Sequence, residues 1–200
     1  MRIRPAERKD ANLISLVTSI HLSAFPGFFL TFMGRDFLET MYMSYVEHEP
    51  SGILLAEDDR GLLGFLSYSG DFSGLYKFML RKHFFAFGWY SFCAFLRKPG
   101  CFIRLLRAFL KPGEAKREEN YLELSSIGVD PRYQNEGVGT GLISALIELA
   151  DFSVFSYITL ETDGKDNDKA NAFYRKNGFA LERKYTTSEG RDMNEYRYYG

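Results

Sequence analysis

Between residues 129 and 142 the sequence runs VDPRYQNEGVGTGL, and its chemistry-bearing positions are Gln134 and the glycines at 137, 139 and 141. They stand directly behind an apolar run, YLELSSIGV, and directly ahead of a helical pattern. A glycine-rich turn from strand to helix leaves backbone N–H groups free at the positive end of the helix dipole. That is a site for an anion, most naturally a phosphate. The spacing is neither GxGxxG nor GxxxxGK(S/T), so neither a dinucleotide-binding turn nor a P-loop is indicated.

The elements that must hold this turn follow from periodicity. Ile3 lies in a short extended start, and Asp10 is placed to cap a helix carrying Leu13, Ile14, Leu16, Val17 and Ile20 at helical spacing. FPGFF (25–29) breaks it, and a second helical stretch is expected from about Thr31 to Val46. GILLAE (52–57) and LLGFLSYS (62–69) read as strands of a hairpin turned by DDRG. YLELSSIGV (121–129) suits a buried strand, and a helix from about Val138 to Ala150 turns Leu142, Ile143, Leu146, Ile147 and Ala150 inward. YITLET (157–162) is a strand, and a helix from Asp168 to Lys176 stops at Asn177-Gly178. FALERKYTT and MNEYRYY close the chain as strands around the turn SEGR. Strands alternating with helices in the middle and hairpins at both ends predict one α/β domain, residues 1–200, with a mixed sheet.

Bulk composition narrows the classes. Acids (26) and Lys plus Arg (25) nearly cancel, which gives no electrostatic case for a nucleic-acid partner. Cys93 and Cys101 show no metal-ligand spacing, and His21, His48 and His83 lie far apart, so neither a disulfide framework nor a metal is expected. MRIRPAERKD is charged where a signal peptide needs an apolar core, and the expected location is cytoplasmic.

Two stretches together carry a family resemblance. VDPRYQNEGVG (129–139) resembles the pyrophosphate-binding motif of the GNAT superfamily of acyl-CoA-dependent N-acyltransferases, and NDKANAFYRKNGF (167–179) resembles that family's second signature. The opening IRPAERKDANLISL is similar to the family's first strand and helix. The resemblance implies a central twisted mixed sheet flanked by helices, with acetyl-CoA as cosubstrate and no metal. It implies that the backbone of Ile127, Gly128 and Val129 pairs with the pantetheine arm. Gln134, Asn135, Glu136, Gly137, Val138, Gly139 and Thr140 would then wrap the pyrophosphate. Asn167, Phe173, Tyr174 and Lys176 complete the implied cofactor contacts. Glu136 departs from the pattern, since it puts a carboxylate where the family often carries a basic residue.

The chemistry implied is acetyl transfer to a primary amine, which needs a base for the ammonium and a proton for the departing thiolate. Tyr174 is the implied acid, although a core aromatic beside Phe173 would share its spacing. Glu123, six residues ahead of Val129 and expected on the same strand face, is the first candidate base, and Glu161 on the next strand is the second. The readings that leave Glu123 a solvent-facing strand residue, or the chain a non-catalytic acetyl-CoA sensor, stay open. Phe25, Phe28 and Phe29 lie in the region that borders the acceptor in the family. The expected acceptor is a small-molecule amine such as a nucleotide-linked amino sugar, with a protein amine as the alternative. Dimerisation through an exposed sheet edge is a family-level expectation.

Residues 72–113 match nothing in the family core. They carry eight cations (Lys77, Arg81, Lys82, Arg97, Lys98, Arg104, Arg107, Lys111) and no Asp or Glu, amid dense Phe and Leu and the single Trp89. They read as a helical insertion, about 72–118, broken at Gly88 and Pro99-Gly100. Extra core with a solvated cationic face, a lid over the acceptor, and peripheral membrane contact through 77–111 all fit this composition.

Overall fold

A computed structural model describes residues 1–26, 29–97, 119–187 and 190–200, with the backbone alone for Phe29, Ala94 and Arg97. The order is β1 (Arg2–Pro5), α1 (Ala11–Ala24), α2 (Phe29–Met33), α3 (Arg35–Glu47), β2 (Ser51–Asp58), β3 (Gly61–Ser69) and α4 (Phe72–Arg97). Then come β4 (Tyr121–Val129), α5 (Val138–Leu149), β5 (Tyr157–Asp163), α6 (Asp168–Lys176), β6 (Ala180–Thr186) and β7 (Asp192–Tyr198). The strands form one sheet in the order β1-β2-β3-β4-β5-β7-β6. β4 and β5 are its parallel pair, and every other neighbour pairing is antiparallel.

Both sheet faces are covered, because the central strands are apolar on both sides rather than alternating. Leu54, Leu63, Leu122, Leu124, Ile158 and Leu160 pack with the inward stripe of α5, Leu142, Ile143 and Leu146. Ile53, Leu55 and Phe65 pack on the opposite face with Ile14, Val17 and Ile20 of α1 and Leu38, Tyr42 and Tyr45 of α3. This second face is the one that carries Glu123 and Glu161.

Four local expectations are corrected. The helix expected from Thr31 to Val46 is two helices, α2 and α3, split at Gly34, whose φ of 92° opens the turn. Asp10 makes no side-chain cap to α1; its carboxylate accepts from the Glu7 N–H at 2.8 Å and pairs with Arg4 at 2.6 Å, tying the β1 exit instead. Leu16, placed on the apolar stripe, is 48% exposed, and His21 takes part in the buried face in its stead. α4 runs through Gly88 without a break and turns at His83 (φ −119°, ψ 26°). The expected break at Pro99-Gly100 and the cations from Lys98 to Lys111 lie outside the described residues.

Candidate functional site

β4 and β5 begin as partners and then part. Their parallel pairing covers Tyr121↔Tyr157, Leu122↔Ile158 and Glu123↔Thr159. Beyond that point β5 follows β7 as far as Asp163↔Met193, and β4 follows β3 as far as Val129↔Gly64. The edge of β4 from Leu124 to Val129 that faces β5 therefore has no strand partner among the described residues. A wedge lined by unpaired backbone donors and acceptors is a slot for an extended, amide-bearing ligand.

A bulge shapes the wedge. The β3–β4 register jumps between Ser67↔Ser126 and Tyr68↔Leu124, leaving Ser125 as the extra residue. Counting by twos across it fails: Val129 packs with the α5 cluster, whereas Glu123 lies on the α3 face, where its charge acts on Tyr45. The expected shared face of Glu123 and Val129 is corrected accordingly.

At the wide end of the wedge the loop Gln134 to Gly137 is exposed. Asn135 (φ 66°) and Gly137 (φ 81°) are left-handed, and Gly137 is the N-cap residue of α5. Alternation of hand at such positions turns successive N–H groups into one concavity, and the first turn of α5 adds its own free donors. Gly139 serves close approach: a Cβ there would lie 3.0 Å from the Phe173 ring, which would have to shift to admit it. Phe173 is thus a half-buried packing residue, and Val138 is buried, while Thr140 and Lys176 are exposed.

Glu136 does not stand against this anion site alone. Its carboxylate meets the guanidinium of Arg60 at 2.9 Å, and Arg60 also pairs with Asp58 at 2.7 Å and covers the Tyr133 ring at 4.6 Å. The β2–β3 turn thereby brings a cation to the loop that the loop itself lacks. Sequence reading missed Arg60, since its partner is 76 positions away.

The candidate carboxylates share a face of the sheet but differ in setting. Glu123 sits at the apex, half-buried, in register with Thr159. Glu161 lies past the point of divergence, with its side chain 40% exposed; it accepts a hydrogen bond from the Tyr185 hydroxyl at 2.6 Å and has Arg183 at 4.0 Å. Glu195, opposite Glu161 on β7, is wholly buried and held by Arg183 (2.6 Å) and Arg197 (3.0 Å).

Tyr174 enters from the other face. Its ring is packed among Phe173, Phe179 and Tyr196, and burial pushes its hydroxyl up to about 12. The group therefore stays protonated at any physiological pH. Asn167 precedes α6, and its side-chain N–H donates to Thr162 Oγ1 at 2.7 Å. Asn171, a residue sequence reading passed over, fixes α6 to the sheet. Its amide N–H groups donate to Asp163 O (2.9 Å) and Asn167 O (2.7 Å), and its oxygen accepts from Asn194 (2.7 Å) and Tyr196 (2.9 Å). All four bonds are internal to the α6–β5–β7 corner, so Asn171 is spent on positioning.

Of the acceptor-side aromatics, Phe25 packs its ring 4.8 Å from that of His21, Phe29 opens α2, and Phe28 lies outside the described residues. His21 is buried, shares a 2.6 Å hydrogen bond with the Tyr42 hydroxyl, and is held near 4 by loss of solvation. No group of His, Cys, Asp and Glu among the described residues is arranged to hold a metal.

Comparison with known proteins agrees with this geometry. A family model described as "Acetyltransferase (GNAT) family" matches residues 16–179. Over 78 residues the chain is 41% identical to N-alpha-acetyltransferase RimI of Mycobacterium tuberculosis, a match covering 38% of this chain and 47% of that protein. The match thus spans about half the length of that curated relative. The fold superposes on a ribosomal-protein-alanine N-acetyltransferase from Brucella melitensis with a TM-score of 0.62 at 15% identity, covering 100% of both chains. It superposes on NAA60 of Arabidopsis thaliana, solved in complex with acetyl-CoA, with a TM-score of 0.59 at 15% identity, covering 99% of this chain and 97% of that one. The architecture is that of an acyl-CoA N-acyltransferase. The chain belongs to the GNAT acetyltransferase family.

Proposed function

We propose that this protein transfers the acetyl group of acetyl-CoA directly to a primary amine within a ternary complex. The observation that carries the reading is the wedge between β4 and β5, opening onto the left-handed Gly137 turn and the N-terminus of α5. The free edge of β4 from Leu124 to Val129 fits an amide-bearing arm, and the loop from Gln134 to Thr140 fits a pyrophosphate. Acetyl-CoA supplies the activated thioester.

The residues then divide the proton work. Glu161, exposed at the mouth and steadied by Tyr185, takes the proton from the incoming ammonium, and Glu123 at the apex accepts it through water. The amine nitrogen forms its bond to the acetyl carbon as the carbon–sulfur bond breaks, and Glu161, its first proton passed on to Glu123, takes the second nitrogen proton. Tyr174, kept protonated by burial, donates to the departing sulfur and regains its proton from solvent as the products leave. Neither cysteine is needed, since no covalent enzyme adduct is required.

For the acceptor, the names of RimI and of the Brucella structure favour the α-amine of a protein N-terminus. A nucleotide-linked amino sugar is the second reading, supported by the cations Lys77 and Arg81 on the acceptor-side layer. A thiol-release assay over N-terminal peptides and amino sugars separates them: turnover with peptides alone upholds the first reading and turnover with amino sugars alone upholds the second. Absence of turnover with every amine would overturn the transferase itself.

A further inference from the structure

Among the described residues, the exposed large apolar side chains are concentrated on α4. The helix is seated by Leu75, by Phe87 against Phe37 at 4.9 Å, and by the Lys82–Glu47 ion pair at 2.6 Å. After the turn at His83, Phe85 (88% exposed), Trp89 (64%), Phe92 (50%) and Leu96 (66%) follow one another at intervals of four, three and four residues. At 3.6 residues per turn these positions fall on one stripe about 16 Å long. Apolar side chains scattered singly on a surface need no explanation, whereas four large ones in a row mark an interaction site.

The charges around the stripe indicate what covers it. Lys77 and Arg81 are exposed and have no ion pair among the described residues, and no Asp or Glu occurs anywhere from 72 to 113. A second copy of the chain meeting α4 against α4 would bring these cations together with no acid of the helix itself to answer them. Aromatic and aliphatic side chains on a helix whose preceding turns carry unanswered cations instead match the interface of a bilayer with anionic headgroups. No helix of the described residues is long and apolar enough to cross a membrane, so the fit is to a helix lying in the surface plane.

We propose that the Phe85–Trp89–Phe92–Leu96 face of α4, with Lys77 and Arg81, docks the protein on an anionic lipid bilayer. α4 packs against α2 and α3, in the same layer that covers the Glu123 and Glu161 face of the sheet. Docking would therefore hold the acceptor side close to the membrane, and the proposal stands on the α4 surface whatever the acceptor is.

The chain contains one tryptophan, Trp89, which makes the test direct. The full protein is mixed with phosphatidylcholine vesicles with and without phosphatidylglycerol, and flotation is read alongside Trp89 emission. Expected are co-flotation with the anionic vesicles only, a blue shift of the emission, and release by salt. Replacing Lys77 and Arg81 by Gln should weaken partitioning roughly 25-fold, about fivefold for each charge. Phe85→Ser with Phe92→Ser should abolish it while the melting curve is kept, since both side chains are exposed. No flotation with anionic vesicles, equal flotation with neutral ones, or undiminished binding by the serine variant would overturn the proposal. So would a lipid-free dimer in which Trp89 emission is already blue-shifted, because a second copy would then be the occupant.

Discussion

Arg60, on the turn between β2 and β3, lies 2.9 Å from Glu136 and 2.7 Å from Asp58. The acidic residue in the glycine loop is thereby paired from outside the loop, by a guanidinium it shares with Asp58. Arg60→Ala should raise KM for acetyl-CoA a few-fold with kcat unchanged, because binding charge is lost without touching the reacting atoms. Adding Glu136→Gln to that variant should recover most of the loss. Steady-state kinetics with varied acetyl-CoA checks both.

Tyr174→Phe should lower kcat by about 100-fold or more while leaving the Kd for acetyl-CoA within about twofold, since the ring that packs against Phe179 and Tyr196 is kept. With the hydroxyl held near 12, the wild-type rate should show no decline from Tyr174 ionisation up to roughly pH 10. Stopped-flow thiol release and a binding titration separate the two constants.

Glu161→Gln should reduce kcat about 100-fold at neutral pH, and Glu123→Gln should reduce it less, because Glu161 is the more open of the two to an incoming ammonium. Both variants should regain rate as pH rises and the free amine becomes abundant. A pH–rate profile for which Glu161→Gln runs parallel to wild type would remove Glu161 as the base.

His21 gives the fold an acid sensitivity of its own. Burial lowers it from 6.5 to about 4, so between those values the unfolded chain binds a proton that the native state refuses. Stability therefore falls as pH drops from about 6.5 to 4, by at most ~3 kcal/mol, and this contribution is level below that window. Denaturant unfolding of wild type and His21→Gln at neutral and acid pH should show the variant losing less. Equal losses would place the sensitivity elsewhere.

Much of this was legible in the residues because it is local. The glycine turn, the two signature stretches, and the boundaries of α6, which match at both ends, depend on neighbours in sequence. What was not legible depends on chain geometry. The Ser125 bulge turns Glu123 and Val129 to opposite faces, and alternation by twos cannot detect an inserted residue. The helix turn falls at His83, and Gly88 is carried inside the helix, so a glycine alone does not mark the break. Arg60 and Asn171 act through partners many residues away, and only the folded sheet brings them together.

The proposed function requires acetyl-CoA to bind in the β4–β5 wedge and at the Gly137 turn. Calorimetric titration of the wild type and of Gly137→Val, which forces a β-branched residue into a left-handed position at φ 81°, tests it most directly. One micromolar site per chain is expected in the wild type, weakened at least tenfold in the variant. No binding, or equal affinity in both, would contradict it.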